Sequence, residues 1–422
     1  MSRPRGFVAS WFFAPYRGSA DLDLFKRLAH TRVDYDVVQV RRAGADPRVL
    51  AIDTQARIDR TEIATDHEHP RTRRARDEFI AGVLEKFRAA PASYDFLLSH
   101  SNEVPSHAAA LQCRRLRPDL PWIAYFGDPV AKNPYVAHMA EYPLHDEDIA
   151  TEAATLAQAD VVVCNNNWQR DLMFSGAMAK YAHKAVVIPH CFEPAFYPRE
   201  PVALPERFRF LHVGTLYSVK RTARPVLLAV DRLLELYPRY ANRFEVVFRG
   251  GPYHAPDRET WAAMRHADHV RLEPEVPFLE SLALMRTAHV LISIDGIFTE
   301  AEDGLTASPF FPCKLVDYMG AGRPITAVTM ERGPTADVLR DSGNLVADDR
   351  PDRLAFVLKR YLDGKAPRGE VDWGRYDARV VGAEMESVFR TAARRQAPGA
   401  GLQAVVDAAR AAALASKRRS AS

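Results

Sequence analysis

Along the first half of the chain, short runs of β-branched and aromatic residues alternate with longer stretches whose apolar positions recur three and four residues apart. The first kind of segment suits a strand buried on both faces, and the second is the one-sided stripe of a helix packed on a sheet. Residues 7–12 predict a first strand, 14–19 a turn, 21–29 a helix and 35–40 a second strand, together one βαβ unit. Further strands are predicted at 96–98, 122–126, 161–164 and 185–188. Prolines at 189, 194, 198, 201 and 205 then interrupt the periodicity, so this stretch reads as an inter-domain linker.

Strands predicted at 208–213, 244–248, 270–272, 290–294 and 325–328 alternate with helices again, which implies a second doubly wound unit with right-handed parallel crossovers. The fold class is therefore α/β: two doubly wound, Rossmann-like domains facing a central cleft. From Ala392 onward the chain turns Ala- and Arg-rich and finishes Lys417-Arg418-Arg419-Ser420. A frayed or disordered end is expected there, with a basic contact to anionic lipid as the alternative.

Composition narrows the class. A length of 422 residues suits two domains of roughly 150 to 200 residues. Hydrophobic residues at 47%, charged ones at 26% and a negative mean hydropathy argue against an integral membrane protein. Neither a membrane-spanning apolar run nor a signal-peptide pattern is visible. Cys113, Cys164, Cys191 and Cys313 are scattered without a C-x-x-C pair, so no zinc site or disulfide framework is expected, and reduced thiols point to the cytoplasm. A net charge of +3 is too small to imply a nucleic-acid partner.

Candidate chemistry gathers where strands empty into glycine-bearing turns, because backbone N–H groups and a helix's positive end meet there and favour phosphate. Gly18 and Gly214 hold those places, although neither sits in a G-x-G-x-x-G fingerprint. Lys220, read as opening the next helix, would reach a diphosphate on the Gly214 turn. In Ser308-Pro309-Phe310-Phe311-Pro312-Cys313-Lys314-Leu315-Val316-Asp317-Tyr318-Met319-Gly320-Ala321-Gly322, Lys314 and Asp317 fall one turn apart on a short helix. A carboxylate there can accept both hydroxyls of a ribose, and the helix's free N–H groups face phosphate.

Taken together, these segments resemble the family 4 glycosyltransferases. The likeness rests on His212-Val213-Gly214-Thr215-Leu216-Tyr217 with Lys220, on Lys314-Leu315-Val316-Asp317-Tyr318-Met319 closing on Gly322-Arg323-Pro324-Ile325, and on the opening loop from Trp11 to Ser19. Gln158 to Asn166 and Val187 to Pro194 add to it. The resemblance implies a GT-B fold, a nucleotide diphosphate-sugar donor, no metal or other cofactor, and transfer to an acceptor hydroxyl with retention, in surface polysaccharide or glycoconjugate synthesis. It implies an acceptor-side domain over 1–195, a donor domain over 196–370, a helix over 371–395 crossing back to the first domain, and a tail over 396–422. The acceptor would be a glycan, a lipid-linked sugar or a small molecule, with peripheral membrane contact through the tail.

Residue by residue, Lys220 falls on the family's diphosphate-binding cation and Asp317 on the second carboxylate of its Glu-x7-Glu motif. Gly18, Gly214, Thr215, Cys313 and Lys314 would line the diphosphate, and Glu273-Pro274-Glu275-Val276 would take the nucleobase. Thr215 stands where many members carry Arg, and Pro309 where the first Glu would be, so Arg221 or Arg323 would assist Lys220 and Glu302 or Asp303 could replace the Glu. A solvated acidic loop is the plainer expectation for that last pair. On the other side, His100 and Asp128 follow predicted strands and are candidates to orient the acceptor hydroxyl, with Lys220 as the third catalytic group. The strings Asp21-Leu22-Asp23 and Asp146-Glu147-Asp148 read as solvated charge and not as metal ligands. A GT-B epimerase or phosphorylase, and a degenerate protein that binds nucleotide-sugar or glycan without turnover, remain open.

Overall fold

The structure is a computed structural model, and it describes residues 3–16, 19–101, 103–135, 145–366, 371–394 and 401–421. The chain divides into two compact units, Met1–Glu193 with Gly374–Ser422, and Pro194–Trp373.

Among the described residues of the first unit, seven parallel strands form a sheet: β1 (Arg5–Ser10), β2 (Asp34–Val40), β3 (Arg57–Ile63), β4 (Phe96–Ser101), β5 (Trp122–Phe126), β6 (Val161–Cys164) and β7 (Ala185–Val187). Their order is β3-β2-β1-β4-β5-β6-β7. Val8 pairs with Val37 on one side and with Leu98 on the other, so the switch in winding direction falls between β1 and β4. Central strands such as β5 are buried at every position, which is why they read as uninterrupted apolar runs. Strand β3 was not predicted: as RIDRTEI on the sheet edge, it is largely solvent-facing and its polar residues conceal it.

The second sheet contains β8 (Phe208–Val213), β9 (Phe244–Arg249), β10 (Val270–Glu273), β11 (Val290–Ile294), β12 (Ile325–Val328) and β13 (Val346–Ala347). Its order is β10-β9-β8-β11-β12-β13, again parallel, with the switch point between β8 and β11. The two-residue edge strand β13 also went unpredicted, being too short to show any period.

Two expectations about the connections need correction. Residues 189–193 are not a free linker: His190, Cys191, Phe192 and Glu193 are buried, Glu193 meets His30 at 2.5 Å, and Phe192 exchanges backbone hydrogen bonds with Tyr376 and Ala378 at 2.9 Å. Nor is the tail frayed. Helix Leu402–Ala421 packs on helix Ala378–Ala393, burying Leu402 and Val406, and Lys417 reaches Asp377 at 2.8 Å. Helix Ala378–Ala393 in turn completes the first unit's core, where Phe389 stacks on Phe96 with centroids 4.8 Å apart. None of the helices searched among the described residues is long and apolar enough to cross a membrane.

Arg410 forms a short ion pair with the fully buried carboxylate of Glu384, tying the last helix to the one before it. Burial pushes the Glu384 carboxyl up to about 7 against the opposing charge of Arg410. Loss of the arginine can therefore be relieved by proton uptake, so the cost should fall below the roughly 3 to 5 kcal/mol typical of breaking a buried pair. Arg410→Ala is expected to lower unfolding free energy by about 1 to 3 kcal/mol in urea titrations, and adding Glu384→Gln should recover part of it. No change in the denaturation midpoint would show that the pair contributes nothing to stability.

Candidate functional site

In the second unit the chain leaves β8 through Gly214, whose φ of +127° lies in a region that side chains rarely adopt. Its N–H donates to the Arg249 carbonyl at 3.0 Å, extending the β8–β9 ladder by one residue. Gly250, just past β9, presses against this turn so closely that a Cβ on it would lie 2.2 Å from the Gly214 oxygen. Beneath, the Tyr318 hydroxyl donates to the Val213 carbonyl at 2.9 Å and receives the Val213 N–H at 2.8 Å, fixing the strand end. The turn is thus held from two sides at the switch point, where doubly wound sheets place their ligands.

Against this turn lies the ammonium of Lys314, at the start of helix Cys313–Ala321; its Nζ would be 3.8 Å from a Cβ built on Gly214. That nitrogen is enclosed and has no hydrogen-bond partner among the described residues. Burial, then the charge of Arg221, holds Lys314 well below the usual lysine range, with Asp295 opposing. Asp295 follows β11, is buried, and accepts from Thr329 Oγ1 at 3.0 Å; burial raises its carboxyl despite the nearby charges of Arg221 and Lys314. Both groups are driven toward neutrality by loss of water, so the cluster is short of counter-charge. His212, on β8 below them, is kept neutral first by burial and then by Lys314, with Nδ1 2.9 Å from the Ile292 carbonyl.

Lys220 sits elsewhere than predicted. The following helix is Arg224–Leu236, and Lys220 lies before it in the loop, at a φ of +61°. Its Nζ binds Glu302 at 2.7 Å and Asp303 at 2.8 Å, and those bonds raise its pKa although burial opposes the charge. The acidic loop is correspondingly not a solvated one: the Asp303 side chain is fully buried in this clasp, while Glu302 stays exposed. The clasp links the loop after β8 to the short helix Glu300–Asp303 that follows β11.

Among the other candidates of this unit, Cys313 is the first residue of its helix and Thr215 is exposed. Asp317 is buried one turn beyond Lys314, and its backbone carbonyl accepts the Tyr197 hydroxyl at 2.7 Å. Glu273 ends the edge strand β10 in an ion pair with Arg249, and Arg249 also reaches the Pro274 carbonyl at 3.5 Å. Glu275 is exposed and Val276 half-buried just beyond. Gly18 lies outside the described residues.

In the first unit, His100 and Asp128 both stand at carboxyl ends, His100 within β4 and Asp128 past β5. His100 is buried, stacked on Tyr125 with centroids 5.0 Å apart, and its Nδ1 lies 2.9 Å from Ser10 Oγ. The Ser10 hydroxyl gives its one proton to the Phe12 carbonyl at 2.5 Å, so it must accept from His100 Nδ1–H. That leaves the lone pair on Nε2. Burial lowers His100 to about 4 and the neighbouring His107, bonded to Ser99 Oγ at 2.7 Å, to about 3.

Sequence reasoning missed the network beside His100. Asp23 is not solvated charge but buried, accepting from Arg27 Nε at 3.0 Å, the Tyr125 hydroxyl at 2.5 Å and His190 Nδ1 at 2.9 Å. Burial alone would raise its carboxyl, yet Arg27 and His190 hold it well below the usual range. Asn165 Nδ2 closes the circuit on His190 Nε2 at 3.0 Å. Asp21 is likewise buried, on Arg42 at 2.8 Å, and Asp148 is buried against Arg76. The available signal was the Asp23/Arg27 spacing of one helical turn. For Asp295 in the second unit, it was a carboxylate directly after the strand Val290–Ile294.

No protein-family model matches the chain. Over 237 residues it is 30% identical to a D-inositol 3-phosphate glycosyltransferase of Thermobifida fusca, a match covering 52% of this chain and 51% of the relative. The chain thus spans about half the length of that curated relative. Among solved structures, an α,α-trehalose 6-phosphate synthase from Burkholderia multivorans superposes with a TM-score of 0.55 at 15% identity over 100% of both chains. A UDP-N-acetylglucosamine 2-epimerase does so with a TM-score of 0.57 at 11% identity, over 94% of this chain and 98% of the other. The fold is GT-B, two Rossmann-like domains.

His100 and His107 bind a proton less readily folded than unfolded, where histidine titrates near 6.5. Their contribution to stability is therefore complete above about pH 6.5 and is lost as pH falls toward the folded values. Unfolding free energy should decline between about pH 6.5 and 4, and His107→Phe should flatten part of that slope. An unchanged slope in the variant would mean that His107 is not buried neutral.

Proposed function

We propose that this protein is a glycosyltransferase that moves a sugar from a nucleotide diphosphate-sugar to an acceptor hydroxyl. The observation that carries the reading is Lys314: its enclosed Nζ has no hydrogen-bond partner among the described residues and lies against the Gly214 turn on the switch point. A diphosphate supplies the missing counter-charge. As the bond from the anomeric carbon to the diphosphate oxygen breaks, negative charge grows on the leaving group, and Lys314, Arg221 and the N-terminal end of helix Cys313–Ala321 stabilise it. Asp317 takes the ribose hydroxyls, and residues 273–276 take the base. Lys220 contributes by holding its loop against Glu302 and Asp303. In the first unit, the Nε2 lone pair of His100 accepts a hydrogen bond from the acceptor hydroxyl, with Asp128 alongside.

The half-length similarity to a glycosyltransferase and the fold shared with a trehalose 6-phosphate synthase both support transfer. Retention and independence of metal belong to the same proposal. A second reading, epimerisation of a nucleotide-sugar, is favoured by the similarity to the 2-epimerase and is separated by one assay: conversion of donor to an isomer without acceptor.

Calorimetric titration of UDP, GDP, ADP and dTDP should identify one tight ligand. Its binding should be accompanied by proton uptake, because Lys314 becomes fully charged beside the diphosphate while Arg221 and Asp295 remain its neighbours; heats measured in buffers of different ionisation enthalpy read this out. Lys314→Ala should weaken binding by about 2 to 4 kcal/mol and Asp317→Ala by about 1 to 3 kcal/mol. Lys220→Ala should affect turnover more than nucleotide affinity. Equal affinity in the wild type and Lys314→Ala would remove the main support for the proposal. Addition of a strong chelator should leave transfer unchanged, and a loss rescued by magnesium or manganese would overturn the metal-free assignment.

A further inference from the structure

At the edge of the second unit's sheet, two strands beyond β11, β13 and the helices beside it border a cavity of about 480 Å³. That volume lies within the range of small-molecule sites. Helix Pro351–Leu362 builds one wall through its spacing. Leu354, Leu358 and Tyr361 turn one stripe of the helix into the core, while Arg353, Phe356, Val357 and Arg360 recur three and four residues apart on the stripe that lines the cavity. Phe356 is 55% exposed, the highest value for a large apolar side chain among the described residues, with Arg353 one turn before it and Arg360 one turn after. Leu345 and Val346 add apolar surface from the edge strand and the residue before it. Thr329 also borders the cavity, but its hydroxyl is spent on Asp295 at 3.0 Å and its N–H on the Ala347 carbonyl at 2.9 Å.

The charges around this apolar surface do not balance. Three arginines, 340, 353 and 360, and three acids, Glu331, Asp348 and Asp352, border the cavity. Asp348 is held by Arg350 at 2.7 Å as well as by Arg353 at 3.1 Å, and Asp352 is paired with Arg232, so two of the acids are answered from outside the lining. The Arg360 guanidinium is in no ion pair among the described residues; its Nη2 donates to the Lys365 carbonyl at 2.8 Å, and its Nε is enclosed without a partner. Arg340 donates to the Glu331 carbonyl at 2.6 Å and is likewise in no ion pair among the described residues. These two guanidinium groups are left with the single carboxylate of Glu331 between them. An exposed ring flanked by surplus guanidinium is complementary to a flat apolar body that carries a negative charge.

We propose that this cavity is an accessory binding site for a flat, apolar organic acid, whose ring system lies on Phe356 and whose carboxylate takes Arg360 and Arg340. The site is independent of the transferase reading, since none of the residues assigned to diphosphate, ribose or base borders the cavity. A small acid suits the cavity better than a second copy of this chain does. Pairing about a two-fold axis would set the same surplus of arginine against itself, and like charges facing one another oppose association.

The test uses the full chain and calorimetric titration of three probes: 1-naphthoate, its uncharged counterpart 1-naphthylmethanol, and acetate. The naphthoate should bind about tenfold more tightly than the alcohol, and acetate should show no saturable binding. Phe356→Ser, at an exposed position where folding is not at stake, should weaken naphthoate about tenfold. Arg360→Gln should erase most of the preference for naphthoate over the alcohol, and Arg340→Gln, at a fully surface position, provides the same reading if loss of Arg360 disturbs its helix. Lys314→Ala should bind naphthoate as the wild type does. Absence of naphthoate binding, equal affinity for naphthoate and the alcohol, or a Phe356→Ser variant that binds naphthoate unchanged would overturn the site. Displacement of naphthoate by a nucleoside diphosphate would overturn it too, by placing the probe in the nucleotide site. A wild-type dimer in sedimentation that Phe356→Ser converts to monomer would assign this face to a second copy of the chain instead.

Discussion

A cation that has given up its water must find an anion or give up its proton, and Lys314 Nζ has no hydrogen-bond partner among the described residues. Its nearest opposite charge, Asp295, is itself buried and pushed toward the neutral acid, and Arg221 adds repulsion. Such an arrangement is costly to the folded chain, and the proposed diphosphate would relieve it. The surrounding details serve that one position. Gly214 can take its unusual φ, Gly250 can lie against it, and Tyr318 ties off the strand below, so the backbone beside the ammonium has little freedom. Preorganisation of this kind is worth most where charge develops during a reaction, since nothing need reorient at that moment.

The first unit solves the opposite problem. Around Asp23 every buried charge has a partner: Arg27, His190 and Tyr125 converge on one carboxylate, and Asn165 answers the far side of the imidazole. A network so fully satisfied favours a single geometry. It also keeps the Tyr125 ring in place, against which His100 stacks. The tautomer of His100 follows from Ser10 through the same logic of one proton per hydroxyl. One unit thus holds a polar network rigid by completing it, and the other leaves Lys314 Nζ without a hydrogen-bond partner among the described residues.

How much of this could be read from the sequence depended on whether the deciding factor was local. Interior strands such as β5, β6, β11 and β12 were legible because burial on both faces forces an apolar run. Edge strands β3 and β13 were not, since solvent on one side or extreme shortness removes the pattern. Lys314 and Asp317 could be placed on one helix, but the isolation of Lys314 is set by residues far away in sequence, Gly214, Arg221 and Asp295. Asp23 and Arg27 one turn apart look identical whether they face water or a protein interior, and so Asp23 was misjudged. Lys220 was wrongly placed at the start of a helix, because the carboxylates that capture it lie more than eighty residues downstream.

The path of the backbone has a temporal side. The second unit is one uninterrupted segment, whereas the first is assembled from both ends of the chain, with Phe389 packed on Phe96 and Phe192 bonded to Tyr376 and Ala378. During synthesis, residues 194–373 emerge complete and can fold while the last helices are still inside the ribosome. The earlier-made sheet must wait, with the apolar face that will receive helix Ala378–Ala393 uncovered, until the final residues arrive. That half-finished surface is where transiently exposed apolar side chains make the nascent protein prone to aggregation.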